Sequence, residues 1–106
     1  MFDTKIAIVL RDDLAVWQKL NVTAFLTSGI VGATPGLIGE PYEDATGRRY
    51  HPLLVQPVIV LGADVATLHA VYRRAVERDV PLSLYIEDMF ATGHDAANRE
   101  TVRRWA

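Results

Sequence analysis

Lys5-Ile-Ala-Ile-Val-Leu10, running straight into Arg11-Asp-Asp-Leu14, is the stretch whose reading decides the fold. A short apolar run rich in β-branched residues and bounded by charge reads as a strand covered on both faces, and so as part of a largely parallel sheet. From Leu14 to Gly39 the only charged residue is Lys19. Within that stretch Val16, Leu20, Ala24, Thr27 and Val31 recur at helical spacing, and Trp17, Phe25 and Ile30 widen the stripe. The pattern predicts a mostly buried helix from about Ala15 to Ala33, closing near Gly29 or Gly32. A strand that ends in charge and hands over to such a helix is how small α/β domains place a site beyond the carboxyl ends of their strands. Lys19 is a candidate for that site, because an amine among apolar side chains is costly unless paired or solvated. The plainer account has it reaching water from the first turn of the helix.

Outward from this unit, strand and helix keep alternating. Thr34 to Arg49 collects Gly36, Gly39, Pro41, Asp44 and Gly47, which predicts a long connection with an irregular hairpin centred on Asp44–Gly47. Val58-Ile-Val-Leu61 reads as a second buried strand, and Gly62-Ala-Asp64 as a turn with Asp64 capping the next helix. Val65, Leu68, Val71, Tyr72, Ala75 and Val76 give that helix an apolar stripe, with Arg73, Arg74, Glu77 and Arg78 on its wet side, and Asp79 and Pro81 stop it. Leu82–Ile86 is expected as a third strand, followed by the acidic pair Glu87-Asp88 and a last helix from near Asp95 to Arg104. The order is β-α-β-α-β in one domain spanning residues 1–106.

Composition narrows the function classes. With 106 residues, half of them hydrophobic, the chain has the size of one small domain with a single core. A net charge of -2 argues against a general nucleic-acid binder, which shows a basic excess. There is no cysteine, which removes disulfides, thiolate metal sites and a thiol nucleophile, and fits a cytoplasmic location. No membrane span is expected, since the apolar stretch is broken by Gln18, Lys19, Asn21, Thr23, Thr27 and Ser28. Neither GxxxxGK[ST] nor GxGxxG occurs, so no nucleotide motif is present and no cofactor enters the reading.

Read together, Lys5–Leu14, the helix opening Lys19-Leu-Asn-Val-Thr-Ala-Phe25, Gly47–Pro52, Val58–Asp64 and Leu82–Thr92 resemble an uncharacterised bacterial family, the domain of unknown function numbered two thousand. That family is in turn similar to the type II peptidyl-tRNA hydrolases. The resemblance covers most of the chain and rests on short strings rather than on one signature. It implies a three-layer α/β/α sandwich with a small mixed or mainly parallel sheet, and a site where the first helix meets the loop after the third strand. Arg11, Asp13 and Leu14 fit the hydrolases' Arg-x-Asp-Leu, Lys19 matches their lysine best, and Asp88 with Thr92 keeps the later Asp-x-x-x-Thr spacing. Gln18 stands where glycine is expected, Thr23 or Ala24 replaces a glutamine, Leu26 to Ser28 offers no histidine, and Phe90-Ala91 replaces a Gly-Arg.

What the resemblance implies is a hydrolase-like or small-ligand site at Lys19, Asp88 and Thr92. The amine would stabilise a developing oxyanion, the carboxylate would orient it or a water, and the hydroxyl would donate a hydrogen bond. The rival from another class is a non-enzymatic binding or oligomerisation module. The resemblance also calls for a further strand after the last helix. A sheet without it exposes unpaired backbone, so a homo-oligomer or a rearranged segment is expected to fill the gap.

Smaller signals point to plainer roles. Asp12-Asp13 with Glu87-Asp88 has the chemistry of a Mg²⁺ site, against which Asp13 as a helix cap is the simpler reading. His51, His69 and His94 lack metal-ligand spacing. Arg99, Arg103 and Arg104 read as a solvated helix face with local ion pairs.

Overall fold

A computed structural model of the chain describes residues 5–86, 89 and 95–104. The elements run β1 (Ile6–Arg11), α1 (Val16–Ala33), β2 (Tyr42–Glu43), β3 (Arg49–Tyr50), β4 (Val58–Ala63), α2 (Val65–Glu77) and α3 (Asp95–Arg103). β1 and β4 pair in parallel, Ile6 beside Val58 through Arg11 beside Ala63. β2 and β3 form a separate antiparallel pair, Tyr42 beside Tyr50. The chain is therefore an α/β protein with three helices and small parallel and antiparallel sheets among its described residues.

Alternation along β1 builds the core. Ile6, Ile8 and Leu10 point to one face and are buried, Ile8 to 2% exposure, and Val22 of α1 and Leu37 close over them. Leu26 and Ile30 continue the α1 stripe onto this cluster. Burying each such side chain stabilises the fold by about 1.5–3 kcal/mol. On the opposite face Ala7 is exposed and Val9 half-buried, so β1 is sealed on one face, not on both as its apolar run predicts.

α1 keeps its expected span, and three other expectations are corrected. α1 passes Gly29 and ends one residue beyond Gly32, at Ala33, where Thr34 turns extended at φ -125° and ψ 112°. The residue before a proline is driven out of the helical region, and Pro35 follows, whereas a glycine inside a helix only weakens it. β4, read as buried, is open: Val58, Ile59, Val60 and Leu61 are 36–51% exposed. α1 is also less covered than its composition suggests, with Val16, Trp17 and Leu20 each more than 60% exposed and only Val22 among its described residues buried. Leu82–Ile86 is not a strand; 81–86 runs without a ladder, held by Tyr85 against the core.

Local chemistry explains the other boundaries. Asp64 caps α2 by accepting the Thr67 N–H on Oδ1 at 2.7 Å, as its position predicts. The long connection folds into an irregular hairpin about Asp44–Gly47, as its turn residues predict. It is extended by a bridge between Ile38 and Leu54. At its tip Asp44 Oδ1 accepts from the Thr46 N–H and hydroxyl and from the Arg48 N–H, while Oδ2 accepts from the Tyr50 hydroxyl. Gly47 supplies the positive φ of 86° that the turn needs.

Candidate functional site

The carboxyl ends of β1 and β4 meet where the sequence places its charge. The Asp12 N–H donates to the Ala63 carbonyl at 2.9 Å, continuing the ladder past the last strand residues. Arg11 forms a fork on Asp13, Nε to Oδ1 and Nη2 to Oδ2, both at 2.9 Å. The guanidinium holds the Asp13 carboxyl below its usual range, and the field of Lys19 adds to that. Asp13 is therefore an ion-pair partner, not the cap of α1. That helix begins instead with the Ala15 N–H donating to Gln18 Oε1 at 2.9 Å.

Lys19 stands at the end of the α1 core stripe, since Lys19, Val22, Leu26 and Ile30 fall three, four and four residues apart. It is half-buried, and its charge acts on Asp13. Its expected partners Asp88 and Thr92 lie outside the described residues. So do Glu87 of the proposed Mg²⁺ cluster and His94. Among the described residues no group of three or more His, Asp or Glu side chains is placed to hold a metal ion.

A second feature lies further along α1. A cleft of about 570 Å³ opens between the C-terminal half of α1, the segment 83–85 and α3. Its floor is apolar: Phe25, Leu26, Tyr85, Met89 and Val102. Phe25 and Tyr85 meet at a tilt of 52° with ring centroids 5.9 Å apart. Its rim carries Ser83 and the Asp95 carboxylate together with Asn98, Arg99 and Arg103, which α3 projects at spacings of one and four residues. Arg99 Nε donates to Asp95 Oδ2 at 2.6 Å, and Arg103 Nη1 to Glu100 Oε2 at 3.3 Å. Lys19 is not part of this lining.

Gly29 makes the cleft possible. A Cβ there would stand 2.6 Å from Ser83 Oγ and 3.3 Å from Ser83 Cβ, so the absence of a side chain lets 83–85 approach the helix. As a helix breaker Gly29 predicts a helix end, and the α3 arginines among acids predict a solvated face, so neither signal alone points to the cleft. A glycine inside a helical pattern was the available signal, since it marks a close approach as readily as a stop.

The chain matches the model of a family described as a protein of unknown function, DUF2000, over residues 4–106, and it belongs to that family. It is similar to the solved structure of Atu0240, a protein of unknown function from Agrobacterium tumefaciens. The two are 60% identical with a TM-score of 0.97, over 100% of this chain and 78% of that one. No curated protein matches. No helix among the described residues is long and apolar enough to cross a membrane.

Proposed function

We propose, from the premise of DUF2000 membership, that the chain binds a small amphipathic organic anion in the cleft between α1 and α3. The observation that carries this is an apolar floor facing two arginines from one helix. The volume falls within the roughly 300–1,000 Å³ of small-molecule sites, and an apolar lining with a few polar groups at its edge is their usual make-up. Asp95 and Glu100 occupy one donor of each arginine, and a guanidinium has five, so donors are left for a carboxylate or a phosphate. The floor suits an aryl or acyl group packed on Phe25 and Tyr85.

N-acetyl-L-phenylalanine presents both chemistries and serves as the probe. Isothermal titration calorimetry is expected to show saturable binding, weakened about tenfold by Arg103→Ala because one charge-assisted hydrogen bond near solvent is lost. Binding unchanged in Arg103→Ala and in a Gly29→Leu variant that fills the cleft would remove this assignment.

A hydrolase-like use of Lys19, Asp88 and Thr92 is the second reading. What favours it is half-buried Lys19, whose charge acts on Asp13 of the Arg11–Asp13 pair at the carboxyl ends of the parallel strands. Peptidyl-tRNA and simple N-acylamino esters are the substrates to offer. Hydrolysis is expected to fall in Lys19→Ala and Asp88→Asn; equal rates in both variants and the parent would end the catalytic reading.

A further inference from the structure

The rim of the cleft carries charge of both signs, side by side. Asp95, Arg99 and Arg103 are the charged side chains that line it among the described residues, and all three come from α3. Spacings of four residues put successive members of the row on one face of a helix, one turn apart. Asp95 and Arg99 are in direct contact, with Arg99 Nε donating to Asp95 Oδ2 at 2.6 Å. The negative end of the row is therefore at the start of α3, and the two positive groups follow it.

That contact uses up neither partner. One N–H of a guanidinium that has five meets one oxygen of the carboxylate. Among the described residues, Asp95 Oδ1 and the terminal amino groups of Arg99 have no further partner. Both side chains are exposed, so a ligand on the rim reaches them directly. The pair can still accept at one end and donate at the other.

A ligand that is only an anion suits half of this rim. With its carboxylate on Arg99, it brings a second negative charge close to Asp95, and like charges repel. A ligand with an ammonium beside its carboxylate meets each group with the opposite charge. In an α-amino acid a single carbon separates the two, which suits rim charges that already touch. A peptide holds its terminal charges apart, at opposite ends, and does not fit one adjacent pair. Arg103, one turn beyond Arg99, adds positive charge on the carboxylate side.

The floor selects the third group. Phe25 and Tyr85 present tilted rings, with Met89 and Val102 beside them, a surface for an aromatic or large aliphatic side chain. Val102 stands three residues from Arg99, so the apolar floor begins next to the charged pair on the same helix.

We infer that the ligand of this cleft is a free α-amino acid with a large apolar side chain, its ammonium on Asp95 and its carboxylate on Arg99. The inference rests on the anion reading of the cleft and narrows it. Asp95 is the residue that distinguishes a zwitterion from a simple acid.

Isothermal titration calorimetry of the full chain at neutral pH tests this with L-phenylalanine and with hydrocinnamate, which is phenylalanine without its amine. L-phenylalanine is expected to bind about tenfold more tightly, the worth of one charge-assisted hydrogen bond near solvent. Asp95→Asn is expected to abolish that preference and to leave hydrocinnamate bound at least as well as by the parent, which shows the cleft intact. Should Asp95→Asn not fold, the comparison of the two ligands on the parent decides alone. If both ligands bind the parent equally, or if the preference survives Asp95→Asn, the inference is overturned while the anion reading stands. If L-phenylalanine, hydrocinnamate and N-acetyl-L-phenylalanine all fail to bind, both are overturned.

Discussion

Asp44 shows how much one carboxylate can organise and when it stops doing so. Hydrogen bonds from the Thr46 side chain, the Tyr50 hydroxyl and the backbone lower its pKa from 3.8 to about 2. A folded-state value below the unfolded one means stability that is present above about pH 4 and lost as pH falls toward 2. The same contact raises the Tyr50 phenol, whose share is present below pH 10 and lost as pH climbs through the raised value. Carbon NMR of the Asp44 carboxyl is expected to show a midpoint near 2, and Asp44→Asn to lose the hairpin's acid transition; an ordinary carboxylate midpoint would contradict the geometry. Asp64 was legible in the sequence because capping is local, two groups three residues apart. The Asp44 network was not, because four donors converge on it only once the turn has formed. Lys19 was legible as an unusual amine, but its neighbour among the described residues, Asp13, was read as a cap.

At the scale of elements, boundaries could be read and burial could not. Every described helix and both long strands begin within a residue or two of where spacing and turn chemistry put them. Periodicity states which residues share a face; whether another element covers that face is a property of the assembly, and so apolar content alone predicts a buried β4 that the structure leaves open. The segment 81–86 misled for a related reason. Its apolar alternation is real, yet Leu82 and Leu84 are exposed while Ser83 and Tyr85 turn to α1, so the pattern serves a helix contact without a ladder. Two substitutions probe these contacts. Ile8→Ala, at the most buried point of β1, is expected to cost about 2–4 kcal/mol in urea denaturation, through lost burial and the cavity left behind. Gly29→Leu is expected to displace Ser83 and close the cleft while α1 stays helical. Crystallography or Ser83 chemical shifts report the first effect, and an unchanged circular dichroism spectrum the second.

For the whole molecule, the exposed apolar side chains of α1 and β4 are the dominant fact, and were a second copy to cover them stability would depend on how much protein is present. If the second copy binds only the folded chain, the thermal midpoint must rise with protein concentration, by mass action. A midpoint constant over a hundredfold dilution, about the range a scanning fluorimeter allows, would mean that folding is unimolecular. The parallel pairing of β1 and β4 has a consequence in time. Ile6 finds its partner only in Val58, fifty-two positions later. At synthesis rates of about 5–20 residues per second, the amino-terminal strand emerges and stays unmatched for roughly 3–10 s. Its Ile-Ala-Ile-Val-Leu string is a ready target for a chaperone in that interval. Closing so long a loop before any ladder forms also sets a slow pace for refolding, one governed by chain topology rather than by the strength of the finished core.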